Sequence, residues 1–218
     1  SSRELALKIT DEQGLYLSES SVYRILKQRG LIPAPNHILM AASNEFKDKT
    51  QFVHQMWQTD FTYFKIIGWG WYYLSTVLDD YSRYIIHWEL CDSMKAEDVK
   101  RTVNTPIAKA RLKTKQKPKL LSDNGPCYVS NELKTYLKDQ LKMKQVHGKP
   151  MHPQTQCKIE RYPRTMKNVI KLNHFYHPEE LIEALNKFVE NYNNNRYHES
   201  LNNLTPADVY FGRSDKIL

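Results

Sequence analysis

Cysteine is scarce in this chain. Cys91, Cys127 and Cys157 are the three present, with no CxxC pair among them and no histidine at a spacing that would complete a zinc site. That pattern argues against a structural zinc module and fits a reducing cytosol. Long apolar runs are missing too. No stretch approaches the ~18 residues needed to cross a bilayer, and no charged-then-apolar leader opens the chain, so a protein neither inserted nor secreted is expected. No internal repeat is visible, and the Asn-rich patch at 191–195 is too short to be low complexity. The chain opens at Ser1 without a methionine and its first pattern begins at once, so it reads as a piece of a longer polypeptide.

What is present is a globular composition, with 40% hydrophobic and 26% charged residues over 218 positions. Lys and Arg number 32 against 24 Asp and Glu, a net charge of +8. A surface of that sign attracts polyanions, less strongly as salt rises. Charge alone leaves two readings open, a nucleic-acid partner or a basic surface that aids solubility.

Ser1 and Glu4 form a capping-box pattern for a helix through Thr10 that Gly14 ends. In "SESSVYRILKQRG" a serine cap precedes Val22, Ile25 and Leu26 at helical spacing, and Gly30 marks the stop. The pair resembles half of a helix-turn-helix, with Tyr23, Arg24, Lys27 and Gln28 off the apolar face where DNA contacts would lie. A plain helical pair packed on other structure explains the pattern equally well. Residues 33–50 read as a linker. Three extended segments follow, "QMWQTDFTYFKI", "GWGWYYLSTVLDD" and "SRYIIHWEL", as an antiparallel meander. Next come a helix from Ala96 to Arg111 with Val99, Val103, Ile107 and Ala110 as its buried stripe, a short strand ending at Asp123, a helix from Asn131 to Gln140, and a last strand in "LKMKQVHG". A helix is expected from about Lys158 and another from Pro178, and the closing "RYHESLNNLTPADVYFG" reads as an irregular arm.

Three carboxylates stand out. Asp60 lies inside the first strand with Thr59 and Phe61 directed to the opposite face, where a charge is costly unless paired or metal-bound. Asp123 ends the fourth strand and is equally explained as a turn former. Glu160 opens a helix, where the dipole alone favours glutamate. Together, the order strand Asp, strand-end Asp, helix Glu can bring three acids to one end of a sheet. By contrast, Asp79 and Asp80 read as turn residues with Arg83 as a local partner. His152 and His198 lack a second ligand at zinc spacing.

"WQTDFTYF", "LDDYSRYIIHW", "LLSDNGP" and "HPQTQCKIERYPRTMKN" resemble the core motifs of DDE-type bacterial insertion-sequence transposases related to retroviral integrases. Thirty-six residues separate Asp123 from Glu160, close to that family's spacing. The N-terminal helix pair and the tail "YNNNRYHESLNNLTPADVYFG" are similar as well, so the likeness covers nearly the whole chain. It implies an α/β fold, a ribonuclease-H-like mixed five-stranded sheet flanked by helices. It also implies Asp60, Asp123 and Glu160 as catalytic ligands of Mg2+ or Mn2+, two ions expected, for DNA cleavage and 3′-end strand transfer. The implied partners are element-end and target double-stranded DNA and further copies of the chain, in the bacterial cytoplasm on the nucleoid.

Domain bounds follow as a helix-turn-helix-like segment over 1–32, a linker over 33–50, the catalytic core over 51–175 and a C-terminal helix and arm over 176–218. Arg164, Lys167 and Lys171 follow Glu160 at four, seven and eleven, a stripe that either meets DNA phosphates or is a solvated helix face. The run "RLKTKQKPK" reads as a solvated loop with nonspecific DNA contact. Cys157 and Pro163 depart from the family pattern around the Glu160 helix. A proline past the first turn of a helix removes a hydrogen bond and crowds a carbonyl, so the expectation is weak activity, with DNA binding without catalysis as the alternative.

Overall fold

A run of aromatic and β-branched residues makes β1, Met56–Ile66, in the computed structural model, which describes residues 1–32, 50–109, 112, 117–147, 166–167, 170 and 175–217. It reverses into β2, Gly70–Asp79, through a turn where Gly68 and Gly70 take φ of 81° and 100°, values that a Cβ would resist. Tyr63 faces Tyr73, and Asp60 faces Thr76. After a turn with Arg83 at φ 65°, β3 runs from Ile85 to Cys91, shorter than the sequence pattern because that turn takes up its first residues. Two further strands, β4 (Lys119–Ser122) and β5 (Gln145–His147), add in parallel on the far side of β1, giving the order β3-β2-β1-β4-β5.

Helices cover both faces of this mixed sheet. Trp57, Val77 and Leu120 pack with Val99 and Val103 of α3 (Ala96–Lys109), Tyr128 of α4 (Pro126–Val129) and Leu133 of α5 (Asn131–Thr135). Leu137 of the π-helical turn Tyr136–Gln140 joins them, so the single helix expected from Asn131 to Gln140 changes winding halfway. On the other face Phe64, Ile66, Leu74 and Leu78 pack with Met166 and Ile170, both helical, and with Leu181, Leu185 and Phe188 of α6 (Pro178–Asn194). Each such side chain, fully buried, contributes roughly 1.5–3 kcal/mol.

At the N-terminus, α1 (Ser2–Gln13) carries the Ser1–Glu4 capping box and ends at Gly14 (φ 64°), and α2 (Glu19–Gln28) is capped by Ser18. Of the expected apolar stripe of α2, Val22 is buried, but Ile25 is half exposed. The helix pair packs on the end of the chain: Arg3 donates to Asn203 Oδ1 (2.9 Å) and Glu199 Oε1 (3.0 Å), and Tyr197 bonds Asp11. The closing arm is more ordered than its sequence suggests. It holds a 3-10 turn at Glu199–Leu201 and the short helices α7 (Pro206–Tyr210) and α8 (Ser214–Ile217), with Thr205 and Asp208 forming a capping box on α7.

Candidate functional site

The parallel pairing of β1 with β4 sets Gln58 level with Leu121. That is the last pair of the ladder, and β4 ends at Ser122; continued by two residues, the same register would bring Asp123, just beyond the strand, beside Asp60. Strand alternation turns Asp60 to one side of the sheet. It is the face of Phe64 and Ile66, on which Met166 and Ile170 pack. The opposite parity is just as clear. Thr59 Oγ1 lies 3.4 Å from the Tyr128 hydroxyl and the Phe61 ring lies 5.9 Å from the Tyr128 ring, tilted by 39°, both through the other face, as the sequence pattern required.

Each carboxylate is shaped by its own backbone. Asp60 Oδ1 accepts from the N–H of Phe61 at 2.9 Å. Asp123 Oδ1 accepts from Gly125 N–H at 2.9 Å, an Asx turn that leads into α4. The turn-forming reading of Asp123 is therefore correct. Gly125 matters here for space: a Cβ at that position would stand 3.0 Å from Asp123 Oδ1. Behind it, His147 Nδ1 lies 3.2 Å from the Asp123 carbonyl, tying β5 to the strand end.

Two groups on α4 sense both charges. Burial pushes the Cys127 thiol up to about 11, and Asp123 and then Asp60 push it the same way. Burial likewise raises the fully enclosed Tyr128 hydroxyl, with Asp60 and Asp123 adding to it and the hydrogen bond from Thr59 opposing. Carboxylates from β1 and β4 thus act on one small helix. Among the described residues no cluster of three His, Cys, Asp or Glu side chains is gathered. Glu160, the third expected acid, lies outside the described residues, as do His152, Cys157, Pro163, Arg164 and Lys171.

Of the expected DNA contacts, Lys167 is described, and its Nζ sits 4.6 Å from the centre of the Tyr63 ring. It is a cation held on an aromatic face. Tyr63 carries no signal in the sequence that distinguishes it from its aromatic neighbours. Tyr23, Arg24, Lys27 and Gln28 are all exposed on α2, with Arg24 Nε bonded to Ser20 O at 3.3 Å. The His198 ring meets Tyr192 edge-on, with the ring centres 5.2 Å apart. Asp79 and Asp80 are structural, as expected. Asp79 accepts from His54 N, Ser82 N and Ser82 Oγ, and Asp80 from Thr50 and Gln58, with Arg83 at 4.0 Å. No helix among the described residues is long and apolar enough to cross a membrane.

Comparison with known proteins gives the same architecture. A chain of the simian T-cell lymphotropic virus intasome, solved in complex with PP2A regulatory subunit B56 gamma, superposes with a TM-score of 0.63 at 17% identity, over 89% of this chain and 67% of that one. The HTLV-2 integrase catalytic core domain in complex with magnesium, in its dimeric form, gives 0.56 at 19% identity over 73% and 97%. The catalytic core domain of BIV integrase gives 0.54 at 20% identity over 75% and 97%. Two family models, each described as an integrase core domain, match residues 52–153 and 141–206. Those matches overlap into one span that holds the whole sheet, Asp60, Asp123 and Glu160, and the chain belongs to the integrase core domain family, with a DDE transposase- and integrase-like core.

Proposed function

We propose that this integrase core cleaves DNA phosphodiesters and joins the freed 3′ end to target DNA, with Asp60, Asp123 and Glu160 as ligands of two Mg2+ or Mn2+ ions. The observation that carries the reading is the parallel pairing of β1 with β4 up to Gln58 and Leu121, two residues short of Asp60 and Asp123, together with the action of both carboxylates on Cys127 and Tyr128. Carboxylate oxygens are the hard donors that Mg2+ takes, and few suffice because the ion keeps waters and accepts phosphate oxygens. The HTLV-2 core with which this fold superposes was solved with magnesium. When bound, such ions supply the positive charge that polarises a phosphodiester and stabilises the attacking and leaving oxygens.

The chain's own residues hold the donors still. Asp60 is fixed by the β1 ladder, and Asp123 by its turn to Gly125. Beneath them Tyr128, Phe61 and Thr59 fill the opposite face. Glu160, thirty-six residues beyond Asp123, is the third ligand. Arg164, Lys167 and Lys171 neutralise phosphates near the site, and Tyr23, Arg24, Lys27 and Gln28 meet element-end DNA from α2 within a recognition segment over 1–32. Assembly as a homo-oligomer on that DNA is in keeping with the dimeric and trimeric forms of the HTLV-2 core.

The test is strand transfer of a labelled duplex carrying cognate ends, in Mg2+ and in Mn2+. Asp60→Asn, Asp123→Asn and Glu160→Gln are each expected to abolish product while retaining the duplex in a gel shift. Any one of them acting at the parental rate removes that residue from the site. Retention of DNA by the parental protein with no product in either metal would favour the reading of a decayed or domesticated transposase, in which Cys157 and Pro163 disable the Glu160 helix.

A further inference from the structure

Beyond the carboxylates, a cleft of about 500 Å³ opens at the edge of the sheet, lined by Lys134, Leu137, Lys138, Lys142, Met143, Lys144 and Gln145. Four of its seven lining residues are lysines and none is acidic. The geometry that gathers them is particular. Lys134 and Lys138 stand four apart, one on α5 and the other in the π-helical turn. The chain then doubles back: Leu141 N–H bonds Tyr136 O at 3.2 Å, Met143 N–H bonds Leu137 O at 2.8 Å, and Lys142 takes a left-handed φ of 55° at the bend. Lys144 follows, its carbonyl accepting from Leu120 N–H at 2.9 Å, so it stands beside exposed Lys119 at the start of β4. Gln145 forms the floor, its Nε2 bonded to Tyr128 O at 2.8 Å.

Three lysines elsewhere have acidic partners, while Lys27, Lys95, Lys119 and Lys216, like those of the cleft, form no ion pair among the described residues. Lys100 meets Glu97 and Glu132, Lys187 meets Glu183, and Lys8 meets Glu12. Among the described residues, none of the four cleft lysines forms an ion pair. Like charges so close repel one another, and the arrangement is favourable when an anion with several negative groups lies across it.

We infer that this cleft binds the phosphate backbone of double-stranded DNA at a second position, away from the scissile phosphate. The inference rests on the DNA-processing reading above. The register supports the placement. Parallel pairing sets Gln145 level with Leu120 and His147 level with Ser122, so the cleft mouth lies three residues back from Asp123, ~10 Å along the strand at about 3.3 Å per residue. That offset is less than the width of a duplex. The elements that carry Lys134 and Lys138 pack on the Trp57 and Leu120 side, opposite the face of Asp60, so the cleft meets a neighbouring stretch of DNA and not the one held at the carboxylates. Point charges on flexible stems grip a backbone without reading its bases, so the cleft adds affinity and not sequence preference.

The experiment is fluorescence anisotropy of the full chain with a 30-base-pair duplex of arbitrary sequence, in EDTA, between 50 and 200 mM NaCl. EDTA removes the metal, so the result does not depend on catalysis. Replacing Lys134, Lys138, Lys142 and Lys144 together by Gln is expected to weaken binding at least tenfold at 100 mM salt. The slope of log affinity against log salt should also flatten by about 0.9 for each lysine that meets a phosphate. A control loses the same charge at Lys65, Lys95, Lys187 and Lys216, and its slope should change by less than one. The fourfold Lys→Arg variant should keep the parental slope, and thermal unfolding of all three should match the parent. Equal slopes in the cleft and control variants overturn the inference and leave the DNA reading intact. A parental protein that does not bind the duplex at all overturns both.

Discussion

Four aspartates belong to one small sheet, and they divide into two pairs. At the turn after β2, Asp79 and Asp80 are buried. Asp79 collects three donors, His54 N at 2.8 Å, Ser82 N at 2.9 Å and Ser82 Oγ at 2.7 Å, and Asp80 takes Thr50 at 2.5 Å and Gln58. At the end of β4, Asp60 and Asp123 are only partly buried, and the main-chain bond that each accepts comes from within two residues of itself. A carboxylate buried in water-free structure must be satisfied by the protein, and the first pair is. The second pair keeps part of its surface open to solvent, which suits groups that meet a ligand from outside. Adjacent acids in the sequence, Asp79 and Asp80, hold the turn together. Acids far apart in the sequence make the candidate site.

The most direct way to break this comparison is to remove a member of each pair and measure stability. Asp79→Ala strands three donors inside the protein and is expected to cost about 3 kcal/mol or more in denaturant unfolding, since each buried unsatisfied group costs ~1–3 kcal/mol. Asp60→Ala should cost less than Asp79→Ala in the same titration, because its side chain is only partly buried. Equal losses would erase the distinction between the pairs.

Acid unfolding sharpens the contrast if one other group is separated from the aspartates. His198 is buried, its Nε2 has no hydrogen-bond partner among the described residues, and burial, with Arg196 and Arg83 adding to it, lowers its value to about 4. Above the ordinary value of 6.5 the ring is neutral in both folded and unfolded chains, and the fold keeps its full stability. As pH falls from 6.5 to 4 the unfolded chain takes up a proton that the folded one refuses, so stability drops, on the order of 3 kcal/mol in all. Below about 4 no further loss comes from this group. Stability curves of the parent and of His198→Asn should therefore converge or cross on acidification over that window. Parallel curves would mean that His198 accepts its proton in the folded state.

The smallest expected effect tests whether local shaping of Asp123 matters. Gly125→Ala places a methyl 3.0 Å from Asp123 Oδ1, and the carboxylate must move by a few tenths of an ångström. Strand transfer should fall on the order of tenfold, less than the ~100-fold expected of a 1 Å misplacement. The melting temperature should stay near the parent's, because the carboxylate can shift toward solvent. An unchanged rate would show that the turn to Gly125 does not set the position of the acid.

The elements were legible because their signals are local. Alternation in "QMWQTDFTYFKI", the Ser1 and Ser18 caps, and the stripe Val99, Val103, Ile107 each depend on residues within a few positions. Misreadings occurred where distant structure intervened. Ile25 satisfies the helical period of α2 yet stands half exposed, because the pair docks through Arg3 and Tyr197 on the arm and not through that face. The arm itself reads as irregular because its helices are only four or five residues long and rest on caps and packing more than on periodicity.

By itself, then, the sequence determined the strand and helix periods, the basic surplus and the identity of the three candidate acids, since side-chain chemistry and short-range sterics are written residue by residue. Only the tertiary structure decided that β4 enters the sheet beside β1, in the register that pairs Gln58 with Leu121, each two residues before a candidate aspartate. It likewise decided that a left-handed bend at Lys142 closes four lysines around one cleft. Both outcomes depend on contacts between segments far apart in the chain or on a reversal whose register no local pattern specifies. They are settled by burial of the two cores against the sheet, a non-local free energy that no window of neighbouring residues contains.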